Sequence, residues 1–160
     1  MLREGIWSLQ YSNDGNVILS GSPDKTIMLY DLRKKKPINS LKEHNNIVYW
    51  AKFNETNTLV ASGGEEHRMI IWDMRKQSPL KIIESKHRKS LIFSDFFSGD
   101  TRVIYSMEFS KDGKFLAASE YDGILKIYDT NKFNLVAATP KLEENRVIFP
   151  FFREEFKMDF

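Results

Sequence analysis

A segment of about 26 residues occurs three times in this chain of 160 residues, each time with the same order of apolar positions. The first copy spans 5–31. Moved forward by 42 residues it meets the second without a gap: Ile6 falls on Val48, Leu9 on Ala51, Tyr11 on Phe53, Ser20 on Ser62, and Tyr30-Asp31 on Trp72-Asp73. Moved by a further 56, the second copy meets a third at 104–129, with Met107 on Ala51, Phe109 on Phe53 and Tyr128-Asp129 on Trp72-Asp73. The longer second step places an insertion between Asp73 and Ile104. Ordered recurrence constrains the fold more than any single motif does, because a repeated unit buries its apolar face against its neighbours.

Each copy reads as short strands joined by tight turns. A first strand alternates apolar with polar residues (Ile6, Leu9, Tyr11; Ile104, Met107, Phe109). Asn13-Asp14-Gly15 or Lys111-Asp112-Gly113 follows, and Asp-Gly between alternating runs is a strong hairpin signal. In the second copy Glu55-Thr56-Asn57 takes that place, Asn being tolerant of positive φ. Second strands are expected at 17–20, 59–62 and 115–118, and third strands at 26–30, 69–72 and 124–128. Weaker fourth strands are expected at 38–41, 80–83 and 135–138. Four antiparallel strands per copy make an all-β fold of three sheet modules.

Hydrophobic residues at 41% and charged residues at 29% support a core and exclude a wholly disordered chain. A net charge of +2 gives no bulk electrostatic case for nucleic acid. Cysteine is absent, which removes disulfides, thiolate metal sites and cysteine nucleophiles together. The opening MLREGIWSLQ lacks the apolar run of a secretory signal, and no apolar run approaches the roughly 20 residues of a membrane span. The expectation is a soluble intracellular protein, cytoplasmic or nuclear.

The chain resembles the WD-repeat β-propeller family. Trp72-Asp73 carries the resemblance, with Tyr30-Asp31 and Tyr128-Asp129 as variants, together with Asp24, Glu66 and Asp122 six positions before each aromatic. In that family a His, a Ser or Thr, an Asp and the Trp form a hydrogen-bonded set that locks a blade. The resemblance implies such a set in the second copy from His44, Ser62, Glu66 and Trp72, with Ser20, Asp24 and Tyr30 at the matching places in the first. The third copy departs from the pattern, having Asp100 for the histidine and Ala118 for the serine. The expected architecture is a partial propeller of three antiparallel four-stranded blades. Blade one is expected at 1–42, blade two at 43–84, an inserted loop at 85–98 and blade three at 99–140, with an aromatic tail or degenerate fourth blade at 141–160.

Propellers typically have 4–8 blades, so three leave an unpaired face at each end. Three arrangements are expected to answer this: a fragment or short form of a larger propeller, a chain that closes a ring by self-association or with a partner, or an array capped by its end segments. Eleven of the 12 phenylalanines lie at or after Phe93, and five fall in 149–160. Phe152, Phe156 and Phe160 recur at helical spacing, which suits a segment packed on the last blade or a docking helix.

Catalytic, metal and cofactor motifs are not expected. His44, His67 and His87 fall in three different loops, and Gly63-Gly64-Glu65-Glu66-His67 reads as a turn, lacking the following helix and Lys-Ser/Thr pair of a phosphate loop. Asn54-Glu55-Thr56 fits the glycosylation pattern incidentally. Two basic runs stand out. Arg33-Lys34-Lys35-Lys36 reads as a solvated hairpin tip. Lys86, Arg88 and Lys89 border Phe93, Phe96 and Phe97 in the insertion, a mixture suited to a protein interface, to single-stranded RNA, or to a loop that buries its own aromatics. Arg33 and Arg75 each lie two residues after the Asp of their copy. Paired Asp-x-Arg elements resemble those of WD-repeat substrate receptors of cullin-RING ubiquitin ligases, and this implies that the two arginines face an adaptor protein; the plainer alternative is local pairing with an acidic neighbour. The expected function is a non-catalytic protein-interaction scaffold within a larger complex, with the ligase receptor and an RNA-associated protein as alternatives.

Overall fold

The computed structural model describes residues 5–66, 68–84, 103–120 and 123–139. These form twelve strands and, among the described residues, no helix. Blade one contains β1 (Ser8–Tyr11), β2 (Val17–Gly21), β3 (Thr26–Asp31) and β4 (Lys36–Lys42). Blade two contains β5 (Val48–Phe53), β6 (Leu59–Gly64), β7 (Arg68–Asp73) and β8 (Ser78–Glu84). Blade three contains β9 (Ile104–Phe109), β10 (Phe115–Glu120), β11 (Leu125–Asp129) and β12 (Leu135–Ala138). Every blade is an antiparallel meander whose sheet order follows the chain. The fold is thus a partial, unclosed propeller. Most strands overrun their expected limits by one or two residues, by two at Lys36, Gly64, Ser78 and Glu120, while β11 is shifted one residue later; at Lys36 and Ser78 ladder pairing reaches past the apolar positions to polar residues.

Turn chemistry sets the register. Gly15, Asn57 and Gly113 take φ of 69, 56 and 70° at the tips of the first hairpins, where a left-handed residue lets the strands twist back on each other. The third hairpins are closed by Asp31, Asp73 and Asp129. Each Oδ1 accepts the backbone N–H groups two and three residues on: Arg33 and Lys34 at 2.9 Å; Arg75 at 2.9 and Lys76 at 3.3 Å; Asn131 at 3.1 and Lys132 at 2.8 Å. The Asp after each aromatic is therefore a turn cap. In the same turns Lys35, Gln77 and Phe133 adopt φ of 53, 52 and 55° without being glycine.

Two cores lie between the blades. Leu19, Ile27, Leu29 and Leu41 of blade one cover Val48, Ala51, Phe53, Val60, Ile70 and Trp72 of blade two. Ala61, Met69 and Ile71 of blade two cover Ile104, Met107, Phe109, Leu116, Ala118 and Tyr128 of blade three. Cross-strand pairing puts directly opposed residues on one face, so blades two and three each turn an aromatic-bearing face toward the preceding blade, while blades one and two each turn an aliphatic face toward the next.

Candidate functional site

Blade two is locked by four side chains. The β4–β5 connection supplies His44, β6 supplies Ser62, the β6–β7 turn supplies Glu66 and β7 supplies Trp72. The Trp72 indole N–H donates to Ser62 Oγ at 2.8 Å, and Ser62 Oγ lies 2.6 Å from His44 Nε2. His44 Nδ1 contacts Glu66 Oε1. The bonding pattern assigns the tautomer: Nδ1–H donates to the carboxylate, which leaves Nε2 to accept the serine hydroxyl. Ser62 and Trp72 are fully buried and His44 nearly so, so each partner is needed to satisfy the next.

Two residues that the family resemblance does not supply complete the set. Glu66 Oε2 accepts from Asn45 N–H at 2.8 Å and from Arg68 Nη2 at 2.6 Å, while Arg68 Nη2 also donates to Glu43 O at 3.1 Å. Burial raises the Glu66 pKa, but hydrogen bonds from His44, then Arg68 and Asn45, more than offset it and hold the carboxyl at about 2. Arg68 was legible as a cation two residues after the acidic turn residue.

The corresponding residues of blade one do not form such a set. Asp24 Oδ1 accepts from Thr26 N–H and Thr26 Oγ1 at 2.9 and 2.6 Å, closing its own turn, while Ser20 is buried and Tyr30 half-buried on the open face. In blade three, Tyr128 is buried and its hydroxyl is pushed up to about 12, by desolvation first and by Glu120 second. Asp100 and Asp122 lie outside the described residues. Beside Ala118, Lys126 Nζ bonds both oxygens of Glu120 at 2.8 Å.

Arg33 and Arg75 sit at equivalent places in the capped β3–β4 and β7–β8 turns, and both are exposed. Among the described residues neither guanidinium pairs with an acidic neighbour; Lys34 Nζ lies 4.0 Å from Asp31. The other proposed contacts, Lys86, Arg88, Lys89, Phe93, Phe96 and Phe97, and the aromatic tail lie outside the described residues.

Between blades one and two an open cleft of about 170 Å³ is lined mainly by apolar side chains, among them Val17, Leu29, Ile38, Phe53 and Met74. Its carboxylate, Asp14, is held at about 2 by hydrogen bonds from Asn16 and Ser12, so at neutral pH it has no proton to give. Among the described residues no group of three or more His, Asp or Glu side chains is placed to hold a metal ion.

The repeats match a known family: WD domain, G-beta repeat, at residues 3–31, 35–73 and 90–129, more than half of the chain. Among curated proteins none matches.

Proposed function

Because the chain belongs to the WD-repeat family, we propose that it is a non-catalytic scaffold that binds other proteins as a subunit of a larger complex. WD-repeat domains generally mediate binding to other proteins. The observation that carries this reading is the pair of Asp-capped turns on adjacent blades, which hold Arg33 and Arg75 exposed, and without an acidic partner among the described residues, on a rigid sheet framework. Side chains presented from fixed backbone lose less freedom on binding than those on loose loops. Phe93, Phe96 and Phe97 with Lys86, Arg88 and Lys89 are the first-choice contacts, because aromatics bordered by cations make an apolar interface centre with a polar rim. Affinity purification of the full chain beside the Phe96→Ala/Phe97→Ala variant tests this. Stable co-purifying subunits lost in the variant, at unchanged thermal midpoint, support it; subunits retained in full remove these residues from the interface.

The same exposed arginines favour a second reading, a substrate receptor of a cullin-RING ubiquitin ligase. A planar guanidinium with five donors suits an acidic or carbonyl-rich adaptor surface. Arg33→Ala with Arg75→Ala abolishes adaptor binding on this reading, and unchanged binding removes it. RNA association would appear as affinity falling steeply with salt, and a flat response removes that alternative.

A further inference from the structure

The turns that follow the third strands repeat one exposed lysine. Lys34, Lys76 and Lys132 stand at the same place in the three blades, and each has its backbone N–H held by the Asp three residues before it, at 2.9, 3.3 and 2.8 Å. All three residues are exposed. Four residues on, a second row repeats. Ile38, Leu80 and Val136 are 47%, 52% and 55% exposed on the outer strands β4, β8 and β12.

In each blade the sheet register slips at that apolar residue. Leu29 pairs with Asn39 but Tyr30 with Pro37; Ile71 pairs with Lys81 but Trp72 with Pro79; Ile127 pairs with Ala137 but Tyr128 with Leu135. Ile38, Leu80 and Val136 are thus the extra residues of three equivalent β-bulges, and a bulge re-aims a side chain. Bulges and prolines also protect a sheet edge from pairing, but protection gives no reason for an exposed apolar residue at the bulge of every blade.

The blades hold the two rows in fixed relation. Asn39 Nδ2 donates to Gln77 Oε1 at 2.6 Å, and at the equivalent place Lys81 Nζ donates to the carbonyl oxygens of Lys132 and Phe133. Each outer strand is thereby tied to the turn of the next blade. Charge is graded along the row: the first turn carries four cations at 33–36, the second Arg75 and Lys76, the third Lys132. The Asp of each turn directs an oxygen inward to backbone N–H groups. No undescribed residue interrupts these turns or the outer strands that follow them.

Resting on the reading that the chain binds other proteins, we propose that this outer rim takes a segment of a partner protein that mixes acidic with apolar residues. Its carboxylates meet Lys34, Lys76 and Lys132, its apolar side chains meet Ile38, Leu80 and Val136, and its most acidic end lies at blade one. Apolar contacts bordered by complementary charge give such a joint both affinity and register. The one aromatic in these turns, Phe133, is buried, so they offer no platform on which the bases of a single-stranded nucleic acid stack.

Fluorescence anisotropy of the 160-residue chain with a labelled peptide of repeated Glu-Glu-Leu tests the proposal. Saturable binding is expected, weakened about tenfold or more when Gln replaces Glu in the peptide. Lys76→Glu with Lys132→Glu lowers affinity by about tenfold or more. Lys25→Glu with Lys42→Glu changes net charge equally at the far ends of β3 and β4, and lowers affinity less than about twofold. Leu80→Ser lowers it by about threefold or more, an effect that charge attraction alone would not produce. Thermal unfolding checks that the variants fold, and Lys76→Gln with Lys132→Gln replaces the carboxylate pair should that one melt early. Absence of saturable binding, equal losses at the two ends, or full affinity in Leu80→Ser overturns the proposal. Tighter binding to phosphatidylserine vesicles or to oligothymidine than to the peptide overturns the protein partner. Subunits that co-purify undiminished with the Lys76→Glu/Lys132→Glu chain overturn this surface while leaving the scaffold reading intact.

Discussion

Lys126 and Glu120 form a bidentate ion pair, 2.8 Å to each oxygen, in the blade that lacks the serine of the blade-two lock. The equivalents in blade two are Ile70 and Gly64, both buried. Both charged side chains are largely shielded from water, so their attraction is weakly screened. Blade three thus places an ionic contact beside Ala118, where blade two uses a neutral network.

Lys126→Met, which imports the residue of blade one, is expected to lower unfolding free energy by roughly 3 kcal/mol, because it removes a bidentate cation from a buried carboxylate. In a double-mutant cycle with Glu120→Gln, the coupling is expected to exceed about 1 kcal/mol. Urea unfolding of the four proteins measures it, and additive losses would show that the pair does not act as a unit.

Ser62→Ala is expected to cost about 2–4 kcal/mol, since it orphans the Trp72 N–H and the His44 ring nitrogen inside the core at once. Ser20→Ala in blade one removes a buried hydroxyl at the equivalent position that does not bond the aromatic or the turn acid, and is expected to cost under about 1 kcal/mol. Urea midpoints of the two variants compare them directly; equal losses would deny the network its role.

Much of this fold was legible because a propeller blade is a local object: alternation, an Asp-Gly turn and an aromatic-Asp pair recur within about 40 residues of one another. What depends on neighbours was not. Leu9 and Tyr11 have the same apolar pattern as Met107 and Phe109, yet the pattern carries no sign of whether a blade lies in front of it. The left-handed residues Lys35, Gln77 and Phe133 were hidden because the Asp cap, not a glycine, dictates that turn. The blade-two lock was readable through family likeness, whereas Asn45 and the Glu120–Lys126 pair were visible only in space. Lys126 could have been flagged as a charge at a position that is Met28 and Ile70 elsewhere.

Glu66 makes stability pH-dependent in a defined direction. Its carboxyl ordinarily titrates near 4.5 and is held at about 2 in the fold, so its contribution is full above 4.5 and is lost as pH falls from there toward 2. The unfolding free energy is therefore expected to fall across that window, and Glu66→Gln, less stable at neutral pH, is expected to lose part of the slope. Chemical denaturation at a series of pH values decides it; an unchanged slope would remove Glu66 as the source.

Gly64 and Gly15 separate two reasons for a glycine. A Cβ at Gly64 would stand 1.8 Å from the Ile47 carbonyl oxygen, which is itself held by the Glu65 N–H at 3.1 Å, so the backbone has no easy way to yield. At Gly15 nothing lies within 4 Å, and only the φ of +69° disfavours a side chain. Gly64→Ala is accordingly expected to cost about 3 kcal/mol through overpacking, with loss of the β5–β6 pairing at Val48. Gly15→Ala is expected to cost roughly 1 kcal/mol, the strain of one left-handed alanine. Thermal unfolding ranks the two, and hydrogen exchange at the Glu65 amide reports the local opening. A Gly64→Ala protein as stable as Gly15→Ala would mean that the Ile47 segment moves aside without resistance, and the close approach of β5 to β6 would then be incidental to the blade.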